Sequence, residues 1–151
     1  MIFLRSTTLT IKDRVRIIEE AYKFLGTPYC LKGDGKNYQN CSQFVVTVIK
    51  NALNIDLPAK VDWLYIVSLI IKPENLQMGD LVFFCRQPRP IGKIATHVAI
   101  FVGDNQVIHA RQRAGKVVIE PIADFSETII TSKDSAELHQ WLEETISLTR
   151  S

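Results

Sequence analysis

The apolar residues of this chain change their spacing near Gly79, and this change restricts the fold more than any other feature. Before Gly79 they recur at helical spacing, and after it they form short β-rich runs joined by Gly and Pro turns. Helices followed by antiparallel strands are typical of the α+β class. With 151 residues, 46% of them hydrophobic, the chain can enclose one sizeable core. A single domain over residues 1–151 is therefore predicted.

Three helices are predicted in the first half of the chain. The first begins at a capping pair of Thr10 and Asp13 and stops at Gly26. The other two cover residues 41–53 and 61–71. The first helix is amphipathic, because its apolar side chains share one face. These side chains are Ile11, Val15, Ile18, Tyr22 and Leu25.

An antiparallel sheet is predicted in the second half, with a closing helix packed on it. The closing helix is marked by helical spacing around Leu138 and Trp141. The strands are short β-rich runs joined by Gly and Pro turns. They cover residues 81–85, 97–102, 106–110 and 116–120.

Cys41 stands at the predicted start of the second helix. A cysteine attacks as the thiolate, and the positive end of a helix favours negative charge. The backbone N–H groups of Cys41 and Ser42 lie in the first turn, where they could bind the oxyanion that forms when a thiolate adds to a carbonyl. One helix terminus could therefore supply both the nucleophile and the oxyanion hole.

Two histidines lie on neighbouring predicted strands and are expected to face this helix terminus. Side chains alternate along a strand, so His97 and His109 share a face only if the connection between the strands is odd-numbered. A three-residue turn or a β-bulge is therefore predicted at residues 103–105. As diagonal neighbours roughly 7 to 8 Å apart, His109 could hydrogen-bond His97 and fix its tautomer. With Cys41 they would form a nucleophile, a base and an orienting group.

Charge and composition argue against several classes of protein. The net charge is only +2 and the basic residues are scattered, so no nucleic-acid partner is expected. The longest apolar run, residues 64–71, is far shorter than the roughly 20 residues of a membrane span, so no membrane insertion is expected. The start of the chain lacks a Sec-type signal pattern. A cytoplasmic location as synthesised is expected, and export by a phage particle or toxin-delivery system is left open.

Other polar residues near these motifs receive structural interpretations. Three widely spaced cysteines without a CxxC pair indicate thiols rather than disulfides or a zinc site, and Cys30 and Cys85 are interpreted as small buried side chains. Gln39 is interpreted as a solvated loop amide, with an oxyanion role as the alternative. Arg111 belongs to a basic turn that is expected to be solvated, although an acidic polymer could use it. His139 is given no role.

Five short motifs occur in order along the chain. They are Gly26-Thr27-Pro28-Tyr29, Asn40-Cys41-Ser42-Gln43, Gly79-Asp80-Leu81-Val82-Phe83-Phe84, His97-Val98-Ala99-Ile100-Phe101-Val102-Gly103 and Val107-Ile108-His109-Ala110.

Together these motifs resemble the NlpC-type papain-like cysteine peptidases over about residues 11–120. The resemblance implies a papain-like α+β fold, in which N-terminal helices carrying the cysteine pack on a small antiparallel sheet carrying the histidines. It also implies that Cys41, His97 and His109 are catalytic, that Tyr29 contacts substrate, and that no metal or organic cofactor is needed. The substrate would be bacterial peptidoglycan or its muropeptides, cleaved beside a γ-linked D-glutamyl residue.

Two departures from the family pattern fall beside the nucleophile. The family usually has Asp where this chain has Asn40, and Gly where it has Gln43. The family Asp helps to bind a free substrate ammonium, so Asn40 gives up a charge-assisted hydrogen bond of about 1.5 to 3 kcal/mol. Asn40, Ser42 and Gln43 are therefore candidate substrate-binding residues with altered preference. An acyltransferase, deamidase or amidase of the same fold and a non-catalytic binding module remain alternatives, and the oligomeric state is left open.

Overall fold

The computed structural model describes residues 9–32, 39–68, 71, 73–86, 90–122 and 128–129. In this part of the chain helices come first and strands follow, as the sequence predicts. The helices are α1 (Ile11–Tyr22), α2 (Cys41–Leu53) and α3 (Val61–Val67), followed by a 3-10 turn at Pro73–Asn75. The strands are β1 (Leu81–Cys85), β2 (His97–Gly103), β3 (Gln106–Arg111), β4 (Lys116–Pro121) and β5 (Thr128–Ile129).

Helix α1 begins as predicted but packs through a different face. Thr10 and Asp13 form the predicted reciprocal capping box. The residues that α1 buries completely are Ile17 and Ala21, and α1 packs against α2. Ile11 is 82% exposed. The prediction that the apolar face of this helix is its packing face is therefore wrong. Most side chains of that face are exposed: Ile11, Val15, Tyr22 and Leu25.

The second and third helices differ in how well their ends are predicted. Helix α2 covers residues 41–53 as expected and stops at Asn54, which adopts a left-handed conformation with φ of 57°. Helix α3 ends at Val67 rather than at residue 71. Ser68 takes extended backbone angles there, and its hydroxyl donates to the Leu64 carbonyl 2.6 Å away. A serine that bonds locally competes with helix continuation, which explains the earlier end.

The strands form one antiparallel sheet with the order β4-β3-β2-β1-β5 among the described residues. The first four strands start at the predicted residues, and β2, β3 and β4 each extend one residue further. The fifth strand pairs with β1 and was not predicted. Two residues are too few to show an alternating pattern, so a strand of that length leaves little signal in a sequence.

The connection between β2 and β3 contains the predicted irregularity. Gly103 pairs with Gln106 across a tight turn, and Asp104 and Asn105 both have positive φ, at 50° and 57°. The pairing register shifts between Phe101 and Gly103, which marks a β-bulge. The predicted bulge is confirmed. The bulge changes the parity of the hairpin, so odd-numbered side chains of both strands share a face.

The two faces of the sheet bury different clusters. The helices pack with residues of one face, including Val98, Ile100 and Ile108. A smaller cluster on the other face contains Phe84, Ala99 and Val107. By alternation, His97 and His109 belong to this second face.

Some predictions fall outside the described residues. These are the closing helix around Leu138 and Trp141, His139, and part of the loop before α2. Nothing in the structure tests the single-domain prediction. In the described part of the chain, no helix combines the length and apolar composition needed to cross a bilayer.

Candidate active site

The candidate nucleophile lies where the sequence predicts, on the first residue of α2. Asn40 caps this helix: its Oδ1 accepts a hydrogen bond from the backbone N–H of Gln43 at 2.8 Å, and its Nδ2 donates to the Leu31 carbonyl at 3.1 Å. The amides of Cys41 and Ser42 lie in the same first turn, where a helix has no internal acceptor for them. Cys41 therefore stands at the electropositive end of α2.

The two residues after Cys41 have different surroundings. The Ser42 hydroxyl is buried and donates to the Ala59 carbonyl at 2.6 Å, so its side chain is structural and only its backbone amide suits the predicted oxyanion role. The Oε1 atom of Gln43 is buried and has no hydrogen-bond partner among the described residues. An unsatisfied buried acceptor costs about 1 to 3 kcal/mol. The buried Oε1 of Gln43 therefore carries a free-energy cost that no hydrogen bond from the described residues offsets.

The contacts around Tyr29 relate the start of α2 to the sheet. Burial raises the pKa of the half-buried Tyr29, and the neighbouring Cys41 and Cys30 thiols raise it further. Pro28 forms a bridge with Lys116 at the start of β4. In an antiparallel sheet the start of β4 and the start of β2 lie at the same end. Cys41, Tyr29 and His97 are therefore brought to one end of the sheet.

The two histidines are joined directly. His97 Nε2 and His109 Nδ1 are 2.6 Å apart, a hydrogen-bond distance, and the ring centres are 4.9 Å apart. The aromatic ring of Phe84 lies 5.7 Å from that of His97. The expected contact between His97 and His109 is confirmed, and because it engages Nε2 of His97, Nδ1 is the ring nitrogen that can exchange a proton with another group.

Both histidines are neutral at pH 7. Burial lowers the pKa of His97 from 6.5 to about 4, and the positive charge of Arg111 lowers it further. Burial also lowers the pKa of His109 to about 3, with His97 and Arg111 as additional causes. A neutral imidazole has one N–H and one lone pair, so each ring can donate at one nitrogen and accept at the other. One ring can therefore donate a hydrogen bond to the other and still have a lone pair on its second nitrogen, as a base and its orienting group require.

A carboxylate that sequence analysis missed lies beyond the histidines. Glu120 Oε1 is 3.5 Å from His109 Nε2, and its other oxygen pairs with Arg111. The prediction that Arg111 is solvated is wrong, because its side chain is only 17% exposed. Val118 pairs with His109, so Glu120 lies two residues further on the same face of β4. This register could have indicated Glu120, but it depends on strand pairing that the sequence does not show.

Two predictions about the segment before α2 are wrong. Gln39 is fully buried rather than solvated, and Cys30 is exposed rather than buried. The backbone explains both, because Gln39 exchanges hydrogen bonds with Pro28 and Cys30 in a short parallel bridge. Side chains alternate along such a bridge. Cys85 is buried as predicted, and the three cysteines form no disulfide.

Comparison with known proteins places these features in a family. The family model described as "NlpC/P60 family" matches residues 26–133. The chain belongs to the NlpC/P60 family. It is 30% identical over 102 residues to the "Gamma-DL-glutamyl hydrolase" of Bacillus subtilis (strain 168), covering 68% of this chain and 24% of that protein. It is 29% identical over 103 residues to the "Murein DD-endopeptidase MepS/Murein LD-carboxypeptidase" of Escherichia coli (strain K12), covering 68% and 52%.

Solved structures support the same family and the papain-like fold. The NlpC/p60 domain of the peptidoglycan hydrolase SagA superposes with a TM-score of 0.67 and 28% identity, covering 79% of this chain and 97% of that one. The predicted α+β fold, with helices packed on an antiparallel sheet, is confirmed. The match spans less than two thirds of either curated relative. In the described residues, no group of three or more His, Cys, Asp or Glu side chains is placed to hold a metal ion.

Proposed function

We propose that this protein is a cysteine peptidase that hydrolyses an amide bond in peptidoglycan stem peptides or their fragments. The single observation that carries the proposal is the 2.6 Å contact between His97 Nε2 and His109 Nδ1, at the sheet end where α2 presents Cys41. The family supports a hydrolase, and the relatives include an enzyme named as a γ-DL-glutamyl hydrolase. A γ-D-glutamyl bond is therefore the proposed target.

The proposed mechanism starts with proton transfer from the Cys41 thiol to His97 Nδ1. The thiolate adds to the substrate carbonyl, and the developing oxyanion is bound by the first-turn amides of Cys41 and Ser42. His97 then gives its proton to the leaving amine as the C–N bond breaks, which leaves a thioester on Cys41. Water, deprotonated by His97, attacks the thioester and releases the carboxylic acid product and the thiol.

His109 has a separate part in this scheme. It holds His97 through Nε2, so the His97 ring keeps Nδ1 directed toward the end of the sheet. Tyr29 and Asn40 flank the nucleophile and are proposed substrate contacts, together with Gln43. Both rings are neutral at pH 7 because their pKa values are lowered, so His97 has a lone pair for the thiol proton, while its burial and Arg111 oppose the imidazolium that results.

The test is incubation of wild-type and Cys41→Ala protein with intact peptidoglycan and with free stem peptides, followed by mass spectrometry of the products. Cys30→Ala is the matched control, because Cys30 is the exposed thiol that also lies near Tyr29. We expect cleavage by the wild type and by Cys30→Ala and none by Cys41→Ala. Full activity of Cys41→Ala would refute the proposed mechanism.

A second set of reactions tests the substrate preference and the two alternatives, a transferase and a non-catalytic binding module. Stem peptides with a free and with an acetylated amino terminus show whether Asn40 has removed the requirement for a substrate amine. An added amine acceptor reports on acyl transfer: a Cys41-dependent acceptor adduct in place of simple hydrolysis would favour a transferase. No mass change in any substrate, with a Cys41 thiol that alkylates no faster than Cys30, would favour a binding module.

A further inference from the structure

The carboxylate of Glu120 lies next to His109, and His109 contacts His97. Its Oε1 atom faces His109 Nε2 at 3.5 Å, and His109 Nδ1 contacts His97 Nε2 at 2.6 Å. The guanidinium of Arg111 pairs with the second carboxylate oxygen, Oε2. His109 is fully buried, and the Glu120 side chain is only 20% exposed. The four side chains therefore form a chain of contacts that ends at the proposed base.

A single proton lies between the two neutral rings, and it can be placed in two ways. In the first arrangement His97 donates from Nε2 to the lone pair of His109 Nδ1, so His97 Nδ1 has a lone pair and His109 carries its proton on Nε2. In the second arrangement His109 donates from Nδ1, so His97 carries its proton on Nδ1 and His109 Nε2 has a lone pair. Only the first arrangement lets His97 Nδ1 accept a proton from a thiol.

Glu120 favours the first arrangement. A carboxylate accepts a hydrogen bond from an N–H and is repelled by a lone pair, and the atom that faces Glu120 is His109 Nε2. The 3.5 Å separation is longer than an ordinary N–H···O hydrogen bond, but contacts of this kind often shorten when the substrate complex forms. We propose that Glu120 is a positioning residue that selects the base-competent tautomers of His109 and His97. The inference rests on the proposed function, because it assumes that His97 is the base for Cys41.

The carboxylate also balances charge when His97 becomes protonated. Among the described residues, the charged groups that face the pair are Arg111 on β3 and Glu120 on β4, and β1 presents the apolar ring of Phe84. Cys41 and Tyr29 lie near each other at the same end of the sheet. The positive charge of Arg111 opposes an imidazolium, and the negative charge of Glu120 favours it. The two partners of one ion pair therefore have opposite effects on the histidines. Two opposite charges beside the histidines would show this opposition even if they only joined β3 to β4, so the tautomers of the two rings are the readout that identifies a positioning residue.

Two measurements that do not depend on hydrolysis test the inference. Nitrogen-15 spectra of the histidine rings report which ring nitrogen carries the proton, and the pH dependence of Cys41 alkylation reports how easily the thiolate forms. The variants are Glu120→Gln and Arg111→Gln. Glu20→Gln is the matched control, because Glu20 is also ion-paired and its side chain is 19% exposed, but it lies on α1.

We expect Glu120→Gln to give mixed tautomers and to move Cys41 alkylation to higher pH by about one unit, a tenfold change in the equilibrium. Arg111→Gln should move it to lower pH, and Glu20→Gln should leave both measurements unchanged. If hydrolysis is observed, Glu120→Gln should also lower kcat/KM by about 10- to 100-fold, as for other groups that fix the tautomer of a functional histidine.

Unchanged tautomers in Glu120→Gln would overturn the inference, as would alkylation shifts of the same sign in Glu120→Gln and Arg111→Gln. Failure of the proposed function is distinguishable from either result. If wild-type protein cleaves no wall peptide while the spectra and the opposite alkylation shifts are as expected, Glu120 is a positioning residue and the peptidase proposal alone is wrong.

Discussion

Acidification should destabilise the fold through the buried histidine pair. In the folded state the pKa of His97 is about 4 and that of His109 about 3, against 6.5 when the side chains are exposed. Between pH 6.5 and 4 the unfolded chain therefore binds protons that the folded chain does not. The pair's contribution to stability is fully present above pH 6.5 and is lost as the pH falls toward 4. Integrated from pH 7 to 4.5, the loss is about 2 to 3 kcal/mol for each histidine.

The assay is urea unfolding at pH 7 and at pH 4.5, with His109→Gln as the comparison. Glutamine does not titrate, so the variant should lose about 2 to 3 kcal/mol less than the wild type between the two pH values. With a urea slope of about 1 to 3 kcal/mol per molar, this difference moves the midpoint by about 0.7 to 3 M. Acidic groups such as Asp13 affect both proteins equally and cancel. Parallel pH dependence in the two proteins would refute the conclusion that His109 is buried in its neutral form.

Two further predictions concern the start of α2. Asn40→Asp keeps the acceptor for Gln43 but loses the donor to Leu31, so stability should change by no more than about 1 kcal/mol, and Cys41 alkylation should move to higher pH because a carboxylate opposes the thiolate. An unchanged alkylation profile would contradict this. Gln43→Leu removes a buried acceptor, so urea unfolding should show equal stability or a gain of up to about 1 kcal/mol. A clear loss of stability would show that Oε1 has a partner in solution.

The parts of the site that the sequence predicts are those that local rules determine. The position of Cys41 follows from the apolar period of one helix. The contact between His97 and His109 follows from the alternation of two adjacent strands and the need for a bulge between them. Each of these features can be predicted from one helix or strand, or from two that are neighbours in the sequence.

The parts that the sequence does not predict depend on how elements pair or pack. Glu120 meets His109 because β4 pairs with β3 in one register, and a shift by one residue would turn Glu120 to the other face. Helix α1 has apolar residues on more than one face, and α2 packs on the face that contains Ile17 and Ala21. The burial of Gln39 follows from a parallel bridge with Tyr29, which precedes it in the chain. A single sequence shows which side chains can be buried but not which partner buries them.

The contacts of Asn40 give a physical reason for the departure from the family pattern. An aspartate at this position could accept the hydrogen bond from Gln43, but it has no N–H to donate to the Leu31 carbonyl. Asn40 therefore joins the start of α2 to the segment that carries Tyr29, whereas a carboxylate would meet that carbonyl with repulsion. The asparagine also removes a negative charge beside Cys41, which favours the thiolate. Under the proposed function, the loss of a charge-assisted contact to a substrate ammonium is therefore accompanied by two other changes: a hydrogen bond from Asn40 to the Leu31 carbonyl and a less negative environment for the Cys41 thiolate.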